Sequence, residues 1–196
     1  RSVVINGKST MTGDSMYYDK KNGKMHAYNN IVYNDKGNKN LLTGDYCEYD
    51  DTTGYAMATK NAVVRDYSSP DTLFMHADTF KIFTYNIRTD SVYRLVHGYH
   101  KARAFRSDVQ SVCDSLKYDS KNKKMTMYGN PIVWNNNQRR LGEERQVLKC
   151  DSTIDSVHVI RQALLAQQLD SACYNQVAGR EMYAYFNGGK LSWSKV

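Results

Sequence analysis

Five aspartates, Asp14, Asp45, Asp78, Asp114 and Asp151, recur at nearly even spacing, each directly after a Gly, Ala or Cys. Carboxylates in such a column could ligate calcium, or serve as acid and base in a β-helix lyase. Asp beside a small residue more often serves a turn or corner, where its carboxylate accepts backbone N–H bonds. No Gly-rich nonapeptide calcium signature accompanies the column. Of the five histidines only His97 and His100 are close in sequence, and residues three apart on a strand point to opposite faces, so no shared metal is expected. The four cysteines (Cys47, Cys113, Cys150 and Cys173) show no C-x-x-C spacing. Cys113 and Cys150 share the aspartate column's preceding position. If their strands pair, their Cβ atoms come to about 4.5–5.5 Å, near disulfide range; the alternative is two small buried thiols. G-x-S-x-G, H-E-x-x-H, P-loop and G-x-G-x-x-G motifs are all missing, so neither an enzyme nor a cofactor is expected.

The element that positions these residues is an internal repeat. Met11–Tyr33 lies over Leu42–Val64 without a gap, matching at Thr-Gly-Asp, at Tyr18/Tyr49, Asp19/Asp50, Gly23/Gly54, Asn30/Asn61 and Val32/Val63. Val112–Val133 fits the same frame through Asp114, Tyr118, Asp119, Met125 and Asn130, and Gly179–Lys195 follows it through Gly189 and Lys190. Weaker copies begin at Ala77 and Cys150. The units start near 13, 44, 77, 113, 150 and 179, so six repeats cover 1–196 as a single domain.

Each unit reads as two strands around a polar turn. After the Gly-Asp, apolar and polar residues alternate, the sign of a strand with one buried face. Met16, Tyr18, Met25, Tyr49, Phe80, Ile82, Leu116, Tyr118, Met125, Met127, Met182 and Trp193 fall at inward positions. Near Asn30, Asn61 and Asn130 the apolar phase shifts by one, which makes Val32, Val63 and Ile132 the expected continuation of the inner face past a bulge or corner. Over Asp155–Ala172, Ile160, Ala163, Leu164 and Gln167 sit at helical spacing, so a short helix there is weighed against an irregular strand and linker. One such unit cannot bury its apolar face alone, and neighbours must stack. The expected fold is all-β: stacked hairpins forming an open, V-shaped double sheet.

The repeat frame sorts many of the 16 tyrosines and eight methionines onto that inner face. Methionine is flexible and polarizable, suited to surfaces that fit variable apolar shapes, so a ligand-accepting groove is expected. The 196 residues carry a formal charge of +7, which concentrates anionic partners. No recognition helix or RNP-type motif points to nucleic acid, and an amphipathic anion such as a phosphorylated lipid fits better. No apolar run approaches the length of a transmembrane helix. The start at Arg1 and the stop at Val196 read as a processed or partial chain, its signal peptide removed.

Units of the form Gly-Asp, alternating strand, Asp-turn-Gly, then Ala-x-x-x-Asn-x-Val resemble the OstA-like (LptA-type) lipopolysaccharide-transport family. The carrying residues are Gly13-Asp14 to Val32, Gly44-Asp45 to Val63 and Asp114 to Val133, and the richness in Tyr and Asn resembles its Bacteroides-type branch. The resemblance implies a periplasmic β-jellyroll, open like a V, whose interior carries the acyl chains of lipid A along the twelve inward residues named above. It also implies protomers, or other bridge components, joined end to end by β-augmentation. The rival reading is a structural β-solenoid, a scaffold or adhesin segment with a filled core and no ligand; a carbohydrate-active β-helix enzyme is a third.

Overall fold

Alternating strands separated by Asp-, Asn- and Gly-rich turns leave little in this sequence to nucleate a helix. The computed structural model describes residues 1–68, 70–87, 89–135, 138–142, 144–149, 154–168, 172–187 and 190–196. Among them are eighteen strands and no helix. The first nine are β1 (Ser2–Asn6), β2 (Ser9–Gly13), β3 (Ser15–Asp19), β4 (Lys24–Asp35), β5 (Asn40–Asp50), β6 (Tyr55–Asp66), β7 (Leu73–Tyr85), β8 (Tyr93–Tyr99) and β9 (Ala102–Arg106). The rest are β10 (Val109–Cys113), β11 (Ser115–Asp119), β12 (Lys124–Tyr128), β13 (Ile132–Asn135), β14 (Gln138–Leu141), β15 (Glu144–Lys149), β16 (Ile154–Gln168), β17 (Tyr174–Asn187) and β18 (Lys190–Lys195).

All pairings are antiparallel, and they build two layers. The first sheet runs β1, β2, the second half of β4, the first half of β5, the second half of β6, the first half of β7, β9, β10, β13, β14, the second half of β16 and the first half of β17. The second sheet runs β3, the remaining halves of β4 to β7, β8, β11, β12, β15, the first half of β16, the second half of β17 and β18. The double sheet is open and does not close into a barrel.

The long strands pass from one sheet to the other along a single fold line. There the backbone takes two successive left-handed residues: Asn29–Asn30, Lys60–Asn61, His100–Lys101, Gly129–Asn130 and Arg161–Gln162, all with φ between 46° and 74°. The pairing registers break at the same places. Asn tolerates this geometry, and here the aspartate column holds it: Asn30 Nδ2 donates to Asp14 Oδ2 at 2.7 Å and Asn61 Nδ2 to Asp45 Oδ2 at 3.1 Å. At Asp14 and Asp45 the column is corner chemistry, as its small neighbours imply.

A two-residue corner leaves the alternation in phase. Ala27, Ile31 and Tyr33 therefore face the interior, as do Ala58, Ala62 and Val64, and Met127, Pro131 and Val133. Val32, Val63 and Ile132 turn outward instead, contrary to the one-residue shift read from the sequence. The same device explains the apparent helix. Residues 154–168 are one strand, with Val157 and Val159 buried before the Arg161–Gln162 corner and Ala163 and Leu165 after it. The period near four in that segment comes from two strand alternations joined by a two-residue insertion.

At the edge opposite the fold line, both sheets end in hairpin turns; this edge is called the mouth below. The turn aspartates are repeated too: Asp19, Asp50 and Asp119 each accept two backbone N–H bonds from the residues two and three positions on. Side-chain bonds from Asn22 and Thr52 hold the carboxyls of Asp19 and Asp50 below their usual range.

Candidate functional site

Two rows of side chains cross the inner face of the second sheet. The row nearer the fold line pairs Met16, Ala27, Cys47, Ala58, Phe80, Gly98, Leu116 and Met127 in unbroken register, and resumes beyond β15 with Val159 and Met182. The row nearer the mouth is Tyr18, Met25, Tyr49, Ala56, Ile82, Val96, Tyr118 and Met125, then Val157 and Ala184. Facing them from the first sheet are Met11, Tyr33, Leu42, Val64, Met75, Ala104, Ser111, Val133 and Leu165.

The interior is graded from fold line to mouth. Small residues, among them Gly13, Gly44, Ala77, Ala102 and Cys113, line the fold; bulky apolar residues fill the middle; charge appears at the mouth. There Asp35 and Arg106 are 5% and 3% exposed, Asp66 and Arg94 half-buried. Arg106 is bound by Asp108 through both Nε and Nη2, the latter at 2.6 Å. Arg94 Nη2 reaches across to Asp35 Oδ2 at 3.5 Å. The wedge thus offers apolar surface within and charged groups of both signs at its edge.

Eleven of the twelve residues singled out from the sequence lie in the two rows. Trp193 does not: it stacks on Tyr185 at 4.2 Å on the opposite face from Ala184, and is 53% exposed. Most tyrosines likewise lie outside. Tyr85 stacks with Tyr93 and His158 with Tyr183, and Tyr28 meets Tyr46 and Tyr55 meets Phe83 at a tilt, all as cross-strand pairs on the outer surface. Such pairs stabilise a sheet directly, so tyrosine enrichment serves both faces. Sequence reasoning missed the charged mouth and the whole first-sheet wall. Continuing the alternation unchanged through each corner finds Tyr33, Val64 and Val133; nothing local marks Asp35 and Arg94, 59 residues apart.

The rows are not equally covered. In the middle, Phe80, Met75, Met127, Met182 and Leu116 are at most 2% exposed and pack as one cluster. At the N-terminal end a separate, smaller cluster of Met11, Ala27, Ile31 and Cys47 is flanked by half-buried Met16 and Met25. Tyr18 and Tyr49 there are 50% and 36% exposed.

Burial pushes the Cys47 and Cys113 thiols and the Tyr118 phenol up to about 12, keeping all three protonated at neutral pH. Among the described residues no three of His, Cys, Asp and Glu gather as metal ligands. Of the two alternatives read for Cys113 and Cys150, a disulfide or two small buried thiols, Cys113 is a free, buried thiol; Cys150 and the column member Asp151 lie outside the described residues. A cavity of about 500 Å³ opens at the fold line between Arg1, Asp14, Asn30, Thr43, Asp45 and Asn61. Its aspartates are already engaged by the corner asparagines.

No protein-family model and no curated protein matches the chain. Among solved structures it is similar to LptH, the LptA-homologous periplasmic component of the conserved lipopolysaccharide transport device of Pseudomonas aeruginosa. The TM-score is 0.51 at 16% sequence identity, covering 62% of this chain and 82% of that one. At this identity the likeness is one of fold: the chain has an LptA-like fold.

Proposed function

We propose that this protein is a periplasmic carrier of lipopolysaccharide, holding lipid A acyl chains between its two sheets on the way to the outer membrane. The observation that carries this reading is the graded interior, apolar in two continuous rows and charged at the mouth, on an LptA-like fold. The whole chain serves as one OstA-like unit, and its Tyr- and Asn-rich composition fits the Bacteroides-type branch. Acyl chains leaving water gain about 0.8 kcal/mol per buried CH₂. They enter where the rows are least covered, at Met16, Tyr18, Met25 and Tyr49, and the pliable methionines yield to them. The role is passive and non-enzymatic, with direction supplied by other components.

Those other components, or further copies of this chain, dock at the two ends. Among the described residues β1 and β3 have one open edge each, and so do β18 and the first half of β17. Exposed apolar side chains accompany both ends: Ile5 and Tyr17 at one, Tyr174 and Trp193 at the other. Unlike edges meeting head to tail build an open chain of protomers by strand addition. Among the described residues no helix is long and apolar enough to cross a membrane.

The filled middle favours a second reading, a structural scaffold without ligand. Mass spectrometry of the protein purified from its native envelope separates the two. The carrier reading expects a co-purifying acylated, phosphorylated lipid, depleted by Met25→Asp; the scaffold reading expects the bare chain in both preparations.

A further inference from the structure

Arg94 and Asp35 form the one ion pair between the two sheets among the described residues. Asp35 ends β4 on the first sheet and Arg94 is the second residue of β8 on the second, so the contact spans the mouth. Its two halves are unequally committed. Asp35 is nearly buried, and its carboxylate already accepts Asn38 N at 3.0 Å and Asn38 Nδ2 at 2.7 Å. It would remain hydrogen-bonded if the arginine left. The Arg94 backbone is pinned by its N–H to Ser120 Oγ at 2.7 Å, while its guanidinium, 29% exposed, makes among the described residues a single long bond through Nη2. A planar fork with five N–H donors and one long contact is poised for bidentate binding of an oxyanion. Arg106 lacks that freedom, being 3% exposed and doubly bound to Asp108.

We propose that Arg94 is the residue that binds the anionic head of the ligand, and that Asp35 is its placeholder, clasping the mouth until a phosphate displaces the carboxylate. This rests on the lipid-carrier reading and names the side chain that reads the charged end of the lipid. Exchange replaces one oxyanion by another at the same cation, and the released Asp35 carboxylate keeps its two hydrogen bonds from Asn38.

The test compares binding of lipid A, and of lipid A stripped of its phosphates, to the full chain and to Arg94→Gln, Arg94→Lys and Asp35→Asn. The proposal expects Arg94→Gln to weaken lipid A on the order of tenfold and leave the dephosphorylated lipid within about twofold. Arg94→Lys, a point charge without the bidentate fork, should fall between the parent and Arg94→Gln, and Asp35→Asn should strengthen lipid A binding by removing the competitor. Equal losses for both lipids in Arg94→Gln, or no loss, would overturn the proposal while leaving the carrier reading intact. If Arg94→Gln fails to fold, Asp35→Asn decides, because weaker or unchanged lipid A binding there contradicts a placeholder. Inorganic phosphate alone should not raise the melting temperature of the parent; a rise lost in Arg94→Gln would mean a free-phosphate site and overturn the headgroup assignment. A parent chain that binds neither lipid would overturn the carrier reading and the clasp with it.

Discussion

Tyr18, Tyr49 and Tyr118 occupy the same place in their repeats and the same row of the second sheet, yet they are 50%, 36% and 9% exposed. Met16 and Met127 make a similar pair in the row beside them, one half-buried and the other 1% exposed. The repeat decides which way a side chain faces, and its distance from the end of the stack decides what covers it. In a quasi-one-dimensional array the terminal units lack a neighbour, so the end keeps an accessible apolar floor where the middle is a core. One frame thereby yields an open apolar floor and a packed foundation.

The comparison breaks most visibly under truncation. Phe80→Ala should cost about 3–5 kcal/mol, and Met16→Ala at the end less than about 1 kcal/mol, both read by urea denaturation. Equal costs would mean that the end is packed like the middle. Filling a glycine repeats the contrast from the other side. A Cβ on Gly98 would lie 2.8 Å from Phe80 Cε1 and 3.3 Å from both Ala77 Cβ and Leu116 Cγ, whereas on Gly13 nothing would be nearer than 3.6 Å. Gly98→Ala should therefore destabilise by about 1–3 kcal/mol, and Gly13→Ala should stay within about 0.5 kcal/mol.

Alkaline titration sharpens the same difference. Burial, followed by the charges of Asp66 and Asp119, pushes Tyr118 up to about 12, whereas Tyr18 is raised chiefly by its hydrogen bond to Asp51. The folded chain then holds the Tyr118 proton where the unfolded chain has released it. The contribution is intact below the ordinary tyrosine value of about 10 and is lost as pH climbs through about 12. Tyr118→Phe should flatten the fall in stability across that window, and Tyr18→Phe should change it little. The smallest effect is one the two regions share. Asp19 and Asp119 make matching turn bonds, at 2.9 Å to the N–H of Lys21 and Lys121, so Asp19→Ala and Asp119→Ala should lower the urea midpoint slightly and by equal amounts. A large inequality between them would show that the turns also differ between end and middle.

Facing was legible in the sequence because period-two alternation is local, and the repeats let Met16, Tyr18, Met25 and Tyr118 confirm one another's frame. The corners were legible at Asn30, Asn61 and Asn130, but their length was not. Two left-handed residues preserve the phase that one would have flipped, which misplaced Val32, Val63 and Ile132 and lent residues 154–168 a helical look. Trp193 was misread because the β17–β18 register slips between Tyr185 and Phe186. Burial was beyond reach for a different reason, since it depends on which strand lies opposite. The Asp35–Arg94 pair is the extreme case, assembled only when the double sheet folds.

The central claim is that the inner rows meet acyl chains, and photo-crosslinking tests it most directly. A benzophenone side chain placed singly at positions 18, 25, 48, 49, 117 and 127, with lipopolysaccharide added to the folded chain, reads both faces and both regions at once. The account predicts strong lipid adducts at 18, 25 and 49, weaker ones at 127, and none at the outward Glu48 and Lys117. Adducts confined to 48 and 117 would contradict it.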